Sequence, residues 1–210
     1  MKYTAYSILR GEQYRRLKEI SLPGRILDLG GSQKSGYHEL INGKHAITTI
    51  NIDATYGCDI VCDIQKPFPF ENASFDVVIG LNILEHIYAF ENVFKETNKV
   101  MKQGGTVVFS TPFMFNIHGS PDDYFRYTKS CFERLLKDYG FTDIVVDEIG
   151  EGVFSLFFQL CGSSIPTAFL WNSAKWCAIH LDRFFLSISG KYRTLARRIP
   201  LGYFVVARKA

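Results

Sequence analysis

The chain is short of the features that usually place a sequence at once. Its five cysteines (58, 62, 131, 161 and 177) are odd in number and scattered. Their spacing matches no zinc ligand set, so neither a disulfide framework nor a metal centre is expected, and Cys58 and Cys62 read as residues packing beside a strand in a reducing cytoplasm. No internal repeat or low-complexity tract is present. No long apolar stretch follows the charges of the N-terminal MKYTAYSILRGEQYRRLKEI, which reads as an amphipathic helix and argues against export. Charge is missing altogether between Glu151 and Lys175, a span long enough in principle for a membrane helix. Gly162-Ser-Ser-Ile-Pro166 interrupts it, however, and each half is too short for a hydrocarbon core of about 30 Å.

What is present suits one sizeable core. With 47% hydrophobic and 15% aromatic residues among 210, disorder is not indicated, and residues 1–210 are expected to form a single domain with 150–200 as a helical lid or insertion. Charge is uneven. From Lys175 onward there are eight Lys/Arg against one acid, Asp182, whereas residues 1–174 hold 16 basic and 20 acidic residues. Such asymmetry suits either a surface that meets something anionic or a solvated basic helix.

The stretch LDLGGSQKSGY, residues 27–37, narrows the ligand. Arg25 to Leu29 reads as a short buried strand, and the glycine pair after it allows a sharp turn and close backbone approach to a ligand. From Gly31 to Gly36 the glycines have Walker spacing, but Tyr37 and His38 stand where the phosphate-gripping Lys and magnesium-binding Ser/Thr are needed. Counting from Gly30, Ser32 takes the third place of the dinucleotide fingerprint. What remains is a turn for a nucleoside-bearing ligand without a pyrophosphate.

The patterning predicts helices at 3–20, 37–43, 84–101 and from Thr128 to Tyr139, with Gly104-Gly105 stopping the third. Strands are predicted at 25–30, 46–53, 59–64, 75–81, 106–110, 142–149 and 203–208, with two helices in 150–200. Strands alternating with helices imply an α/β, Rossmann-like, doubly wound sheet, mostly parallel and seven-stranded, with helices on both faces and a hydrophobic helical insertion before the last strand. Ligands in such folds sit at the carboxyl ends of the strands. That rule gathers Asp28, Gly30 and Gly31, Asp53, Asp63 and Asn82 along one edge. Asp53 follows Gly30 by 23 positions, near the interval of about 20 at which an acid meets ribose hydroxyls. Asp63 is placed to accept from an adenine amino group. Asp28 points into the first turn and is expected to hold it through backbone hydrogen bonds.

ILDLGG, the acid of INID, CDIQKPFPFENASFDVVIGLNILEHI and the glycine pair before TVVFSTP together resemble the successive motifs of class I S-adenosylmethionine-dependent methyltransferases, of the type 11-like kind, over about residues 20–149 and 202–209. The resemblance implies S-adenosylmethionine as cofactor. It sets Gly30 and Gly31 at the methionine end, Asp53 on the ribose, Asp63 with Ile64 at the adenine and Asn82 along the methionine. Ser32 and Lys34 replace the later glycines of the family loop. His86 caps a helix or contacts the cofactor.

The segment HGSPDDYFRYT is similar to one in methyltransferases of bacterial surface-polysaccharide pathways. His118, Tyr124 and Arg126 are its candidate catalytic residues, because a hydroxyl or amine acceptor gains from a general base. The expected reaction is methyl transfer to a glycan or lipid-linked glycan intermediate by a cytoplasmic protein. Residues 150–200 would cover the acceptor, touch a membrane peripherally or meet a second copy as a homodimer. Two other readings stay open: a small apolar acceptor such as a quinone, and a non-catalytic nucleoside-binding module. Nucleic acid is not expected as a partner, since no recognition motif accompanies the basic tail.

Overall fold

The structure, a computed structural model, describes residues 6–119 and 121–210. A seven-stranded sheet runs in the order β3-β2-β1-β4-β5-β7-β6, made of β1 (Gly24–Leu29), β2 (His45–Asn51), β3 (Ile60–Val61), β4 (Phe75–Leu81), β5 (Met101–Pro112), β6 (Phe141–Ile149) and β7 (Gly202–Lys209). The first five are mutually parallel, and β7 is antiparallel to both β5 and β6. Near-continuous apolar strands such as Phe75-Asp-Val-Val-Ile-Gly-Leu81 suit a sheet covered on both faces. Phe94 of α2 (Phe90–Val100) and Phe132 of α3 (Lys129–Asp138) pack with Phe109 on one face. On the other, Leu17 of α1 (Ile8–Glu19) and Phe158 of α4 (Val153–Cys161) pack with Ile26, Val108 and Phe204.

Helix starts follow side-chain chemistry. Ser7, Thr128 and Thr167 each accept a hydrogen bond from the backbone N–H three residues on, at the head of α1, α3 and α5 (Ala168–Ile188), satisfying donors that a helix leaves unpaired. The helix α4 has no such residue. Its N-terminal N–H groups, Phe154 at 3.0 Å and Ser155 at 2.7 Å, donate instead to Asp182, a fully buried acid from α5 that also accepts from Tyr192 Oη. The single acid of the basic tail thus clamps the insertion together, as a carboxylate at a helix N-terminus does.

Several expected boundaries differ. The helix expected at 37–43 is only a 3-10 turn at His38–Leu40. The helix expected at 84–101 divides into a 3-10 turn at Leu84–His86 and α2. Gly104-Gly105 does not stop a helix: β5 starts at Met101, and its register against β4 shifts so that Phe75 faces Met101 while Val77 faces Thr106. Residues 102–105 form the bulge, with Gly104 at φ +72°. A Cβ on Gly105 would stand 2.9 Å from the Asp76 and Lys102 carbonyl oxygens. The strand expected at 59–64 shrinks to two residues. The insertion holds three α-helices rather than two, the third being α6 (Gly190–Arg198). Residues 3–5 of the expected first helix lie outside the described residues. No helix among the described residues is long and apolar enough to cross a membrane.

Candidate functional site

The sheet order reverses between β1 and β4, which sit side by side. A crevice beyond the strand ends opens at such a switch point. At the end of β1, Gly30 takes φ +75° and donates to the Ile50 carbonyl at 2.8 Å. A Cβ there would meet Ile83 at 2.7 Å, so glycine is required. Asn51, at the end of β2, donates to the carbonyls of Gly30 at 2.9 Å and Gly31 at 3.3 Å, fixing the turn. Beyond it the serines tie the loop to itself: Ser32 N–H donates to Ser35 Oγ and Lys34 N–H to Ser32 Oγ, both at 3.0 Å.

The cleft past this turn is walled by Ile52, Ile64, Ile83 and Ile87, with Gly30 at its floor and Asp63 at its edge. Apolar walls with a few polar groups at the margin suit a flat heteroaromatic base. Asp63 accepts from Gln65 N–H at 3.0 Å through Oδ1. Gly30, Asp63, Ile64 and His86, all expected at the cofactor, line this cleft.

Asn82 lines a second, adjoining cavity with Lys34, Tyr37 and three residues of or next to α1, namely Tyr6, Arg10 and Tyr14. It adopts φ +52° and is held by a reciprocal amide pair: Gln13 Nε2 donates to Asn82 Oδ1 at 2.7 Å, and Asn82 Nδ2 donates to Gln13 Oε1 at 3.0 Å. Gln13 also reaches Ser110 at 2.8 Å and is fully buried. Sequence reasoning missed Gln13, Asn51 and the α1 wall. The one available signal was a polar residue on the apolar stripe that includes Leu9 and Leu17.

Two expected cofactor residues are placed otherwise. Asp28 is buried and holds the turn through side chains, not backbone groups: Tyr37 Oη and His38 Nε2 both approach its Oδ2 at 2.7 Å. Burial pushes its carboxyl up, and burial followed by the neighbouring Asp28 pushes the Tyr37 phenol well up. Gly31 is needed here because a Cβ would stand 2.0 Å from Asp28 Oδ2. Asp53 is exposed and does not line the cleft. It follows Ile52, which does, and its Oδ1 caps the turn Ala54–Tyr56 by accepting from Thr55 N–H at 2.8 Å, which holds its carboxyl below the usual range.

Pro121, Asp122 and Tyr124, from the loop that follows β5, form the far wall. This loop docks on the turn after β4: Tyr124 N–H donates to the Glu85 carbonyl at 2.8 Å, and His86 Nδ1 meets the Asp122 carbonyl at 2.5 Å. The rings of His86 and His118 stand edge to face, 5.0 Å between centroids. Arg126 is engaged by both oxygens of Asp123, which also accepts from His118 N–H at 2.9 Å. That pairing holds the Asp123 carboxyl down at about 2. Arg126 therefore shapes the loop instead of presenting a free guanidinium. Tyr124 Oη donates to Asp122 at 2.9 Å, and this bond raises its phenol above the ordinary value, which suits a donor and not a base. Beneath the loop, Glu85 is fully buried and neither carboxyl oxygen has a partner among the described residues. Burial pushes it up to about 8.

A family model described as a methyltransferase domain matches residues 37–109. No curated protein matches the chain in sequence. Among solved structures, a Haemonchus contortus phosphoethanolamine N-methyltransferase 2 bound to phosphomonomethylethanolamine and S-adenosylhomocysteine aligns at 17% identity and TM-score 0.61, over 95% of this chain and 52% of that one. The chain thus spans about half the length of that enzyme. An Archaeoglobus fulgidus S-adenosylmethionine-dependent methyltransferase aligns at 15% identity and TM-score 0.59, over 96% and 92%. A (4+2)-cyclase, SpnF, aligns at 12% and 0.60, over 96% and 80%. The fold is shared with all three. The chain is thus similar to a methyltransferase domain in sequence over residues 37–109 and to these proteins in fold, and its glycine turn, isoleucine-walled slot and polar cavity beside Asn82 lie at the strand ends where such folds bind their ligands.

Proposed function

We propose that the protein transfers a methyl group from S-adenosylmethionine to a glycan or lipid-linked glycan. The observation that carries this reading is the meeting of the cleft with the loop after β5 along one wall, His86 and Tyr124 facing the same space as Gly30 and Asp63. Asp63 and Ile64 would hold the adenine end, Gly30, Asn82 and the α1 cavity the methionine end, and Asp53, exposed next to the cleft-lining Ile52, would have to turn in to reach the ribose. Displacement at a sulfonium methyl is in line, so the chain's task is to align the acceptor and exclude water. His118, half-exposed beside His86, is the group to receive an acceptor proton. Tyr124 packs edge to face against Tyr88, 5.4 Å between centroids, beside Phe125. Aromatic faces flanked by hydrogen-bonding groups suit a sugar.

The helical insertion supports the lipid-linked form of the acceptor. Phe157, Phe169, Trp176, Phe184 and Ile188 are exposed on α4 and α5, and Lys191, Arg193, Arg197 and Arg198 follow on α6. An exposed apolar face joined to a basic one is the composition of an element lying in a membrane interface. The α4 helix also adjoins the acceptor loop, since Asn116 Nδ2 donates to the Leu160 carbonyl at 3.1 Å.

Calorimetric titration with S-adenosylmethionine tests the cofactor half. Binding is expected, weakened roughly tenfold or more by Asp63→Ala or Asp53→Ala through loss of a charge-assisted hydrogen bond. Silence at millimolar ligand would instead favour a nucleoside-binding module without turnover. Incubating candidate glycans with cofactor and looking for a mass gain of one methyl group tests the acceptor. Flotation with anionic vesicles tests the membrane contact: Arg193, Arg197 and Arg198 changed together to Gln should lower recovery, and equal recovery counts against it.

A further inference from the structure

We propose that Glu85, His86 and His118 form a binding site for one divalent transition-metal ion at the acceptor end of the cleft. One ligand atom from each lies within 4.8 Å of the other two, although the residues come from a turn after β4 and a loop 32 positions later. Glu85 Oε1 and His86 Nε2 are 3.7 Å apart. Ligand atoms around a tetrahedral ion stand roughly 3.4 Å apart given bonds of about 2.1 Å, so small side-chain adjustments close the set.

The chemistry of each group points the same way. His86 Nδ1 faces the Asp122 carbonyl at 2.5 Å. A carbonyl only accepts, so Nδ1 carries a proton, and in the neutral ring Nε2 then turns a lone pair toward Glu85. His118 is arranged alike: its Nδ1 faces the Asn116 carbonyl at 3.2 Å, leaving Nε2 as the free ligand atom. A carbonyl that orients the ring from its far nitrogen is the usual support of a metal-bound histidine. Glu85 has no donor for either buried oxygen among the described residues, and its nearest titratable neighbour in the set offers a lone pair. Acceptor facing acceptor is repulsive unless a cation or a proton lies between them.

One carboxylate with two imidazoles is a donor set for zinc, iron(II) or manganese more than for calcium or magnesium, which take oxygen ligands. Three protein ligands leave coordination positions open, and His86 lines the cleft, so those positions face the place where an acceptor hydroxyl must lie. In this last respect the inference rests on the methyl-transfer reading, and it recasts His118 as a metal ligand in place of a base.

The test uses the tag-free full chain, stripped with a chelator and titrated with Co²⁺ and Zn²⁺, Co²⁺ being followed by its visible ligand-field absorption and Zn²⁺ by competition. One ion per chain is expected, with the absorption of a four- or five-coordinate centre. Glu85→Gln and His118→Ala should each weaken binding more than tenfold while circular dichroism stays native; His118→Ala lies on a half-exposed loop and keeps the test open if the core variant fails to fold. No stoichiometric binding to the wild-type chain, or equal binding by the folded variants, would overturn the proposal and leave a proton on Glu85 as the explanation. S-adenosylmethionine titrations on the same samples separate the two claims: cofactor binding without metal sinks the ion site alone, and metal binding without cofactor sinks the methyl-transfer reading alone.

Discussion

Two buried carboxyls follow the two central strands, one at the end of β1 and one in the turn after β4, and they are built differently. Asp28 gathers two side-chain donors on one oxygen, Tyr37 Oη and His38 Nε2. Glu85 gathers none among the described residues. A buried acid that has partners serves the fold, because its removal strands those partners. One without them weakens the fold and persists for another reason. The contrast divides the site into a β1 side whose acid holds a shape and a β4 side whose acid does not.

The largest expected effect would come from Asp28→Ala, which leaves Tyr37 and His38 without their acceptor and should cost about 3 kcal/mol in urea unfolding. A loss under about 1 kcal/mol would erase the distinction between the two acids. Asp182→Ala removes the cap of α4 and should cost about 2 kcal/mol, with faster proteolysis confined to 150–200. Glu85→Gln, in the presence of chelator, should leave thermal stability unchanged or slightly raised at pH 7. A marked fall would mean that Glu85 has a structural partner after all. Smallest is an ordinary surface acid for reference. A hydrogen bond from Lys102, then one from the Arg25 N–H, holds Asp76 below the usual carboxylate range. A depressed value in the fold means stability that is present above the unfolded value and lost as pH falls through the folded one. Screening keeps it to a few tenths of a kcal/mol, and Asp76→Asn should lower stability at pH 7 by no more than that amount while flattening the acid limb.

The sheet was legible in the sequence wherever one apolar run made one strand. Phe75 to Leu81 matches to the residue, because a strand buried on both faces needs no partner pattern to declare itself. Met101 to Gly105 misled because a glycine pair is common to helix stops and to bulges, and only the pairing of Phe75 with Met101 decides between them. Of the residues lining the isoleucine-walled cleft, Gly30 and Asp63 were reachable from strand ends alone. Gln13 was not, since its burial depends on Asn82 and Ser110, 69 and 97 residues away. Nor was the meeting of His86 with His118, which depends on the loop docking its backbone onto the Glu85 carbonyl. Chain-distant polar contacts leave no periodic trace.

The place of β7 bears on how the molecule is made. Within the sheet, β6 hydrogen-bonds to β7 and to no other strand, yet the whole helical insertion is synthesised between the two. On a ribosome, the five parallel strands can assemble as they emerge, while β6 has no strand partner until some fifty further residues have left the tunnel. Joining the two is a late, non-local event of the kind that folds slowly, so the seam at β6 is where a translational pause or a chaperone would have the most to change.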